Sequence, residues 1–299
     1  MRKCAVIDIG SNTIRLSVYR VEEGNVQNLL SRKIMAGLAS YVKKGKMTKD
    51  GVHTACSSLN SYKELLRNLD ISEYYAFATA SLRNIANTDD VLREIQLKTG
   101  IKVDVLSGED EGKLSLRGAI SSINVEDGLL IDLGGGSTEI VPFKDSKASV
   151  VYSLRAGSLT LFKKFVEEFL PTRKECQNIA EYYEGLLDAG DIFIPESRVI
   201  CGVGGTFRAI TKLVDSISGR PEGSNQFTRK EMDDLYDFLK ERDKKSRDLL
   251  LKVTPDRLHT VMPGMAAVKV LMEKANCQNV KVSQTGVREG YLYSKVLNI

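Results

Sequence analysis

An α/β protein of two similar domains is predicted by three features: a glycine-bearing hairpin that occurs twice, strands alternating with helix-period segments, and a length of 299 residues. The stretch LLIDLGGGSTEIV, Leu129 to Val141, reads as strand, turn and strand. Three glycines in a row weaken a buried hairpin unless something must approach the backbone closely. A phosphate suits that place. Bare amides form an anion-binding concavity, Ser137 and Thr138 add hydroxyl donors, and Asp132 with Glu139 could hold a divalent cation. Taken alone the triplet also suits a plain hairpin turn. CAVIDIGSNTIRLSV, Cys4 to Val18, repeats the design with Asp8, Gly10, Ser11 and Asn12. The second copy favours two similar domains that serve one ligand.

Hydrophobic residues at 42% and charged residues at 27% fit a globular chain. The net charge of +4 is too small to create nucleic-acid affinity by itself, so no nucleic-acid partner is expected. Five scattered cysteines, with none at metal-ligand spacing, fit reduced thiols. The apolar run after Met1 meets Asp8 too early for a signal peptide, and no segment approaches a membrane span. A cytoplasmic protein with no membrane association is the expectation.

Along the chain, Val26 to Met35 completes a three-stranded meander. The loop after it gathers Lys43, Lys44, Lys46 and Lys49, either a solvated loop or a guide for polyanions. Val52, Cys56, Leu59 and Leu66 recur at helical spacing, and Tyr74 to Thr79 reads as a buried strand. In ATASLRNIAN, Ser81, Arg83 and Asn87 crowd the end of that strand, where α/β domains bind ligands. A helix over Asp89–Lys98 and a strand over Ile101–Leu106 lead to Glu109, Asp110 and Glu111. Three carboxylates exceed what a helix dipole needs in its first turn. A helix over about 110–120 then precedes the glycine hairpin.

Ala148–Leu154 is predicted as the third strand of the second meander, and Gly157–Phe169 as a helix. Thr172 with Glu175, and Thr228 with Glu231, are capping boxes opening amphipathic helices. Arg198–Cys201 is a strand leading into Gly202-Val203-Gly204-Gly205-Thr206, an anion or nucleotide cradle of low specificity. The charged run Lys240–Asp248 reads as solvated surface. Pro263–Lys274 is a helix, Val280–Ser283 a strand and Val287–Leu297 a closing helix. The repeat places the boundary between about Ser121 and Asp127, giving domains of 1–122 and 123–299. His53 and His259 have no partners in sequence that would suggest histidine catalysis or a histidine metal site.

Together these pieces resemble the exopolyphosphatase and guanosine pentaphosphate phosphohydrolase (Ppx/GppA) family. AVIDIGSNTIRL and IDLGGGSTEI match its two phosphate motifs, ATASLRNIAN its arginine segment and LSGEDEGKL the segment with its catalytic glutamate. GVGGT and TGVREG match later motifs. The resemblance implies two actin-like (ribonuclease H-like) α/β domains with an interdomain active-site cleft, the C-terminal helix, about 286–299, being able to pack back on the first. It implies hydrolysis of a terminal phosphoanhydride of inorganic polyphosphate, with 5′-phosphohydrolysis of pppGpp as the alternative. Mg²⁺ or Mn²⁺ is the implied cofactor, K⁺ a further candidate, and a homodimer a compatible assembly.

By motif, Glu111 is the implied general base, with Glu139 beside it in the chemistry. Ser11, Asn12, Arg15, Arg83, Gly134, Gly135, Gly136, Ser137, Thr138, Gly204, Gly205, Thr206 and Arg288 would hold phosphate, and Asp132, Glu139 and Asp8 the metal. The chain departs from the family pattern at Thr79-Ala80-Ser81, where the hydroxyl is displaced by one position, and at Thr285, where an acid is common. Longer relatives carry a helical C-terminal extension; ending at Ile299 favours short polyphosphates or nucleotide polyphosphates. A kinase of the same superfold and a non-catalytic actin-like nucleotide-binding protein are the competing readings. The glutamate segment and the two arginine motifs argue against both.

Overall fold

The computed structural model describes residues 2–23, 25–221 and 223–298, so the last residue of the C-terminal helix that the resemblance implies, about 286–299, lies outside the described residues. Internal contacts divide the chain into two units, Met1–Gly108 and Glu109–Ile299.

The first unit opens with an antiparallel meander, β1 (Arg2–Ile9), β2 (Ile14–Glu22) and β3 (Asn25–Ile34). A short turn of 3-10 helix leads to a small hairpin, β4 (Val42–Lys43) and β5 (Lys46–Met47). Helix α1 (Lys49–Asn68), strand β6 (Tyr74–Ala78), helices α2 (Ala80–Arg83) and α3 (Thr88–Thr99), and strand β7 (Val103–Val105) follow. The main sheet has the order β3-β2-β1-β6-β7, with β6 parallel to β1 and β7 parallel to β6. Alternation puts Ile7 and Ile9 of β1 with Leu16 and Val18 of β2 on one face, in one core with Val52, Cys56 and Leu59 of α1. Thr48 caps α1 by accepting from Gly51 N–H, and the Tyr62 hydroxyl donates 2.8 Å to the Ile14 carbonyl, tying helix to sheet. Burial pushes that phenol up to about 12.

In the second unit, α4 (Gly108–Ile123) precedes β8 (Gly128–Leu133), β9 (Thr138–Lys144), β10 (Lys147–Ala148) and β11 (Tyr152–Leu154). Then come α5 (Ser158–Phe165), α6 (Arg173–Ala189), β12 (Val199–Val203), α7 (Gly205–Ser218) and β13 (Gln226–Thr228). The chain closes with α8 (Arg229–Lys240), α9 (Lys244–Val253), α10 (Val261–Lys274), β14 (Asn279–Val282) and α11 (Val287–Tyr291), which runs on as a wider helical turn, Leu292–Leu297. Its sheet runs β10-β9-β8-β12-β14-β13, with β11 beside β9. β8, β12 and β14 are parallel. A hairpin on one side of a central strand and parallel strands on the other is the plan of both sheets.

Both faces of β8 are covered, which explains its unbroken apolar run. Leu129, Ile131 and Leu133 join a core with Phe207, Ile210 and Met265, while Leu130 joins Val141, Phe143 and three residues of α4, Leu116, Ala119 and Ile123. That second cluster is why the division falls at Gly108/Glu109, earlier than the 122/123 boundary read from the repeat. α4 packs on the sheet that follows it.

Two elements differ from their sequence readings. The third strand of the second meander is split into β10 and β11. The charged run from Lys240 contains the start of α9, capped by Asp243 accepting 2.8 Å from Ser246 N–H, with Leu250 as its buried anchor. A single apolar anchor left that helix hidden in a polar stretch. All five cysteines are buried free thiols. Among the described residues no helix is long and apolar enough to cross a membrane.

Candidate active site

The two glycine turns share one geometry. Gly10 N–H donates 3.0 Å to the Thr13 carbonyl, and Gly134 N–H donates 3.0 Å to that of Ser137. Behind the second turn, Gly134 O accepts from Ser158 N–H at 2.9 Å, and Gly135 O from Leu159 and Thr160 N–H at 3.0 and 3.1 Å. A trans peptide sends its N–H opposite to its C=O. The N–H groups of Gly135 and Gly136 therefore point away from α5, side by side, as an anion-binding pair. In the first unit, Ser11 O accepts from Ala39 N–H and Asn12 O from Gly37 N–H, both at 2.9 Å. The amides of Asn12 and Thr13 are thereby turned the opposite way. The close packing of the second turn on α5 needs Gly157: a Cβ there would lie 2.5 Å from the Gly135 carbonyl carbon.

The repeat is asymmetric in charge. Asp8 is the register partner of Arg15, whereas Asp132 is the register partner of Glu139. Two like charges directly opposite on one face are destabilising without a counter-charge. Both carboxylates are buried, and each has a hydroxyl: Ser115 donates 2.6 Å to Asp132 Oδ2, and Ser153 donates 2.9 Å to Glu139 Oε1.

Burial pushes the Asp132 carboxyl above its usual range, against the Ser115 hydrogen bond and the charges of Arg208 and Arg288. A folded pKa above the unfolded one gives stability that is present below the unfolded pKa and lost as pH rises through the folded one. As the pH rises above the ordinary carboxylate range, the buried Asp132 therefore becomes a cost to folding. Asp132→Asn is expected to raise the thermal midpoint at pH 7 and to leave it unchanged near pH 3; a lower midpoint at pH 7 would show that the charge stabilises the fold.

Of the three acids that open α4, only Glu111 is buried, at 7% exposure. Glu109 pairs with Lys113 at 2.5 Å on the surface, and Asp110 is exposed. Glu111 lies one turn before Ser115 and shares its helix face. The sequence pattern offered three candidates; burial separates one.

β8, β12 and β14 end at the same edge of their sheet, where open α/β sheets bind ligands. Each is followed by a glycine turn: Gly134–Gly136, Gly204–Gly205 and Gly286. Gly204 has φ 101°, and a Cβ on it would lie 2.7 Å from the Leu133 carbonyl and 3.2 Å from Asp132 Oδ1. Gly204→Ala is expected to destabilise the protein by about 1–3 kcal/mol in urea unfolding, through the left-handed backbone and the clash; an unchanged midpoint would contradict this. The first-turn amides of α7 begin at Gly205, and those groups have no partner inside the helix.

Several motif residues turn their side chains inward. The Thr138 hydroxyl donates 2.5 Å to the Ala156 carbonyl, and Thr206 is packed among Gly264 and Ser158 with its hydroxyl unpartnered among the described residues. What these two threonines offer a ligand is backbone. Ser81 donates 2.6 Å to the Ile9 carbonyl, so its displaced hydroxyl fastens α2 to β1. Arg83 Nη1 donates 3.1 Å to the Leu106 carbonyl. Asp8, Ser11, Asn12, Arg15 and Arg83 belong to the first unit; Glu111, Asp132, Gly134 to Glu139, Gly204 to Thr206 and Arg288 belong to the second.

Sequence reasoning missed Ser115, Ser153, Arg208 and Arg257. Arg208 donates 3.4 Å to the Ser283 carbonyl and its charge acts on Asp132. The Arg257 guanidinium lies against Gly205, in space that a Cβ there would occupy, and burial pushes its pKa down. Helical spacing from Glu111 would have found Ser115. Nothing local marks Arg257.

A hard divalent cation fits the Asp132 and Glu139 oxygens, since Mg²⁺ is commonly held by one or two carboxylates, with water and phosphate completing its shell. Among the described residues no cluster of three or more acid, histidine or cysteine side chains forms a complete protein cage.

Residues 17–299 match the model of the Ppx/GppA phosphatase family. The first turn, Gly10–Thr13, precedes that match and rests on its likeness to the second. Exopolyphosphatase 1 of Mycobacterium tuberculosis is 25% identical over 304 residues, covering 98% of this chain and 88% of the relative. Exopolyphosphatase 1 of Mycobacterium leprae is 23% identical over 303 residues, covering 98% and 89%. A solved Ppx/GppA family member from Aquifex aeolicus superposes with a TM-score of 0.81 at 26% identity, covering 99% of this chain and 97% of its own. A solved exopolyphosphatase from Cytophaga hutchinsonii gives a TM-score of 0.87 at 20% identity, covering 100% and 99%, a likeness of fold. The expected class, two actin-like α/β domains, is the fold these similarities show.

Proposed function

Because the chain belongs to the Ppx/GppA phosphatase family, we propose that it is a phosphoanhydride hydrolase releasing terminal orthophosphate from inorganic polyphosphate, with Glu111 as general base. The observation that carries the reading is the selective burial of Glu111 one helical turn before Ser115, whose hydroxyl is fixed on Asp132.

A phosphoanhydride resists hydrolysis because its oxygens repel the nucleophile, so catalysis requires neutralised oxygens and a water in line. The paired amides of Gly135 and Gly136 and the first-turn amides of α7 suit the oxygens of the terminal phosphoryl groups. Arg208, Arg257 and Arg288 add cationic donors, each charge-assisted bond contributing about 1.5–3 kcal/mol. In the first unit the amides of Asn12 and Thr13, with Ser11, Arg15 and Arg83, form the equivalent set.

Glu111 accepts a proton from the attacking water as its oxygen bonds to the terminal phosphorus. The bridging P–O bond breaks, and the shortened chain leaves with the bond's electron pair. A bound Mg²⁺ or Mn²⁺ at Asp132 and Glu139 would draw charge from the phosphoryl oxygens. Ser115 and Ser153 hold those two carboxylates in orientation; Asp8 has its charge answered in register by Arg15.

The test is a panel of long-chain polyphosphate, tripolyphosphate, pppGpp, and ATP with candidate acceptors, each with Mg²⁺. Orthophosphate from the polyphosphates is the expected result. Release from pppGpp alone would reassign the substrate, and transfer from ATP to an acceptor would replace hydrolysis by kinase chemistry.

A further inference from the structure

The basic loop of the first unit is a built surface. Lys44 and Gly45, with φ 50° and 74°, form the two-residue turn of the β4–β5 hairpin, and Lys43 and Lys46 are register partners across it. Lys43, Lys44, Lys46 and the adjacent Lys49 are all exposed, and none makes an ion pair with a described residue. Like charges directly opposite on paired strands are destabilising, and a lysine in the first turn of α1 opposes the helix dipole. A loop that needed only solubility would interleave acids here.

The hairpin is also held firmly. Asn87 clasps Met47 on both sides, accepting from its N–H at 2.9 Å and donating to its carbonyl at 3.1 Å. Ala86 N–H donates 2.8 Å to the Gly45 carbonyl. A Cβ on Gly51 of α1 would strike Met47 and Tyr41, so the hairpin base sits flush on that helix. At its other end, the segment entering the hairpin donates from Gly37 and Ala39 to the carbonyls of Asn12 and Ser11. The lysine tip is thus tethered on one side to the Gly10–Thr13 turn and on the other to the segment that carries Arg83.

We propose that Lys43, Lys44 and Lys46 bind a linear polyphosphate chain along the part of the first unit that carries the Gly10–Thr13 turn. The inference rests on the polyphosphate reading and deepens it. A short substrate leaves the hairpin unused, whereas a long one adds contacts there, so the lysines set chain-length preference. Three cations on a flexible polyanion should account for about 2 of the slope of log affinity against log salt, by analogy with single-stranded nucleic acids.

The test measures binding without turnover, in EDTA, of long-chain polyphosphate and tripolyphosphate to the full chain and to Lys43→Gln/Lys44→Gln/Lys46→Gln. Expected is a loss on the order of 10-fold or more for the long chain, with a shallower salt slope, no change for tripolyphosphate, and recovery in the triple Arg variant. Unchanged long-chain binding, or an equal loss for both lengths, overturns the proposal. Single-stranded RNA that binds as tightly as polyphosphate and loses affinity equally would overturn the assignment to polyphosphate. Long-chain binding that depends on the lysines in a protein releasing no orthophosphate would leave the surface standing and remove the hydrolase reading instead.

Discussion

Glu111→Gln is expected to lower the rate of orthophosphate release by about 10²- to 10⁴-fold while substrate affinity stays unchanged, the contribution of a positioned general base. Glutamine keeps the volume of the buried side chain but cannot accept the proton of the attacking water. Losing the charge from the first turn of α4 also removes a favourable interaction with the helix dipole, about 0.3–1 kcal/mol, far below the catalytic effect. Glu109→Gln is the matched control. It breaks only the exposed pair with Lys113, whose charges water screens, and should leave the rate alone. A folded Glu111→Gln protein with wild-type kcat would move the base elsewhere.

Gly118→Ala should have the largest effect on stability, about 3 kcal/mol or more. Helix α4 meets the chain around α11 backbone to backbone at two points: Gly118 against the Gly286 carbonyl, and Gly290 against the Leu114 carbonyl. A Cβ at either glycine has backbone in its way, which cannot rotate aside as a side chain would. The urea midpoint of Gly118→Ala should fall at an unchanged m-value. Because α4 carries Glu111 and Ser115, and Gly286 leads to Arg288, kcat should fall with it. Gly185, in α6, has nothing within 4 Å of its added Cβ, so Gly185→Ala should stabilise by up to about 1 kcal/mol through helix propensity. Equal midpoint changes for the two alanines would show that the crossing is not close-packed.

Features carried by a few consecutive residues were legible in the sequence. The paired turns were read from Asp8, Gly10, Asp132 and the glycine triplet, because a close backbone approach demands those residue types within one short stretch. The plan of each domain followed, since a hairpin plus helix-linked parallel strands leaves few topologies. Residues that reach the site by tertiary packing left no such trace. Arg257 is brought to Gly205 from a 3-10 turn before α10, and Ser115 reaches Asp132 from a helix that repeat counting assigned to the other domain. The motif hydroxyls of Thr138 and Thr206 belong to buried side chains, that of Thr138 donating to the Ala156 carbonyl, and the motif pattern carries no sign of that burial. The lysines at 43, 44 and 46 could be seen as a charged loop, but not as an anchored hairpin with two like charges in register. Pairing across a turn is invisible until the turn is known.

The central claim, that water activated by Glu111 attacks the terminal phosphorus, is tested most directly by turnover of polyphosphate in ¹⁸O-labelled water. One labelled oxygen in each released orthophosphate is the predicted result for the wild-type protein, with release suppressed in Glu111→Gln. Unlabelled orthophosphate, or phosphate recovered on an acceptor, would contradict it.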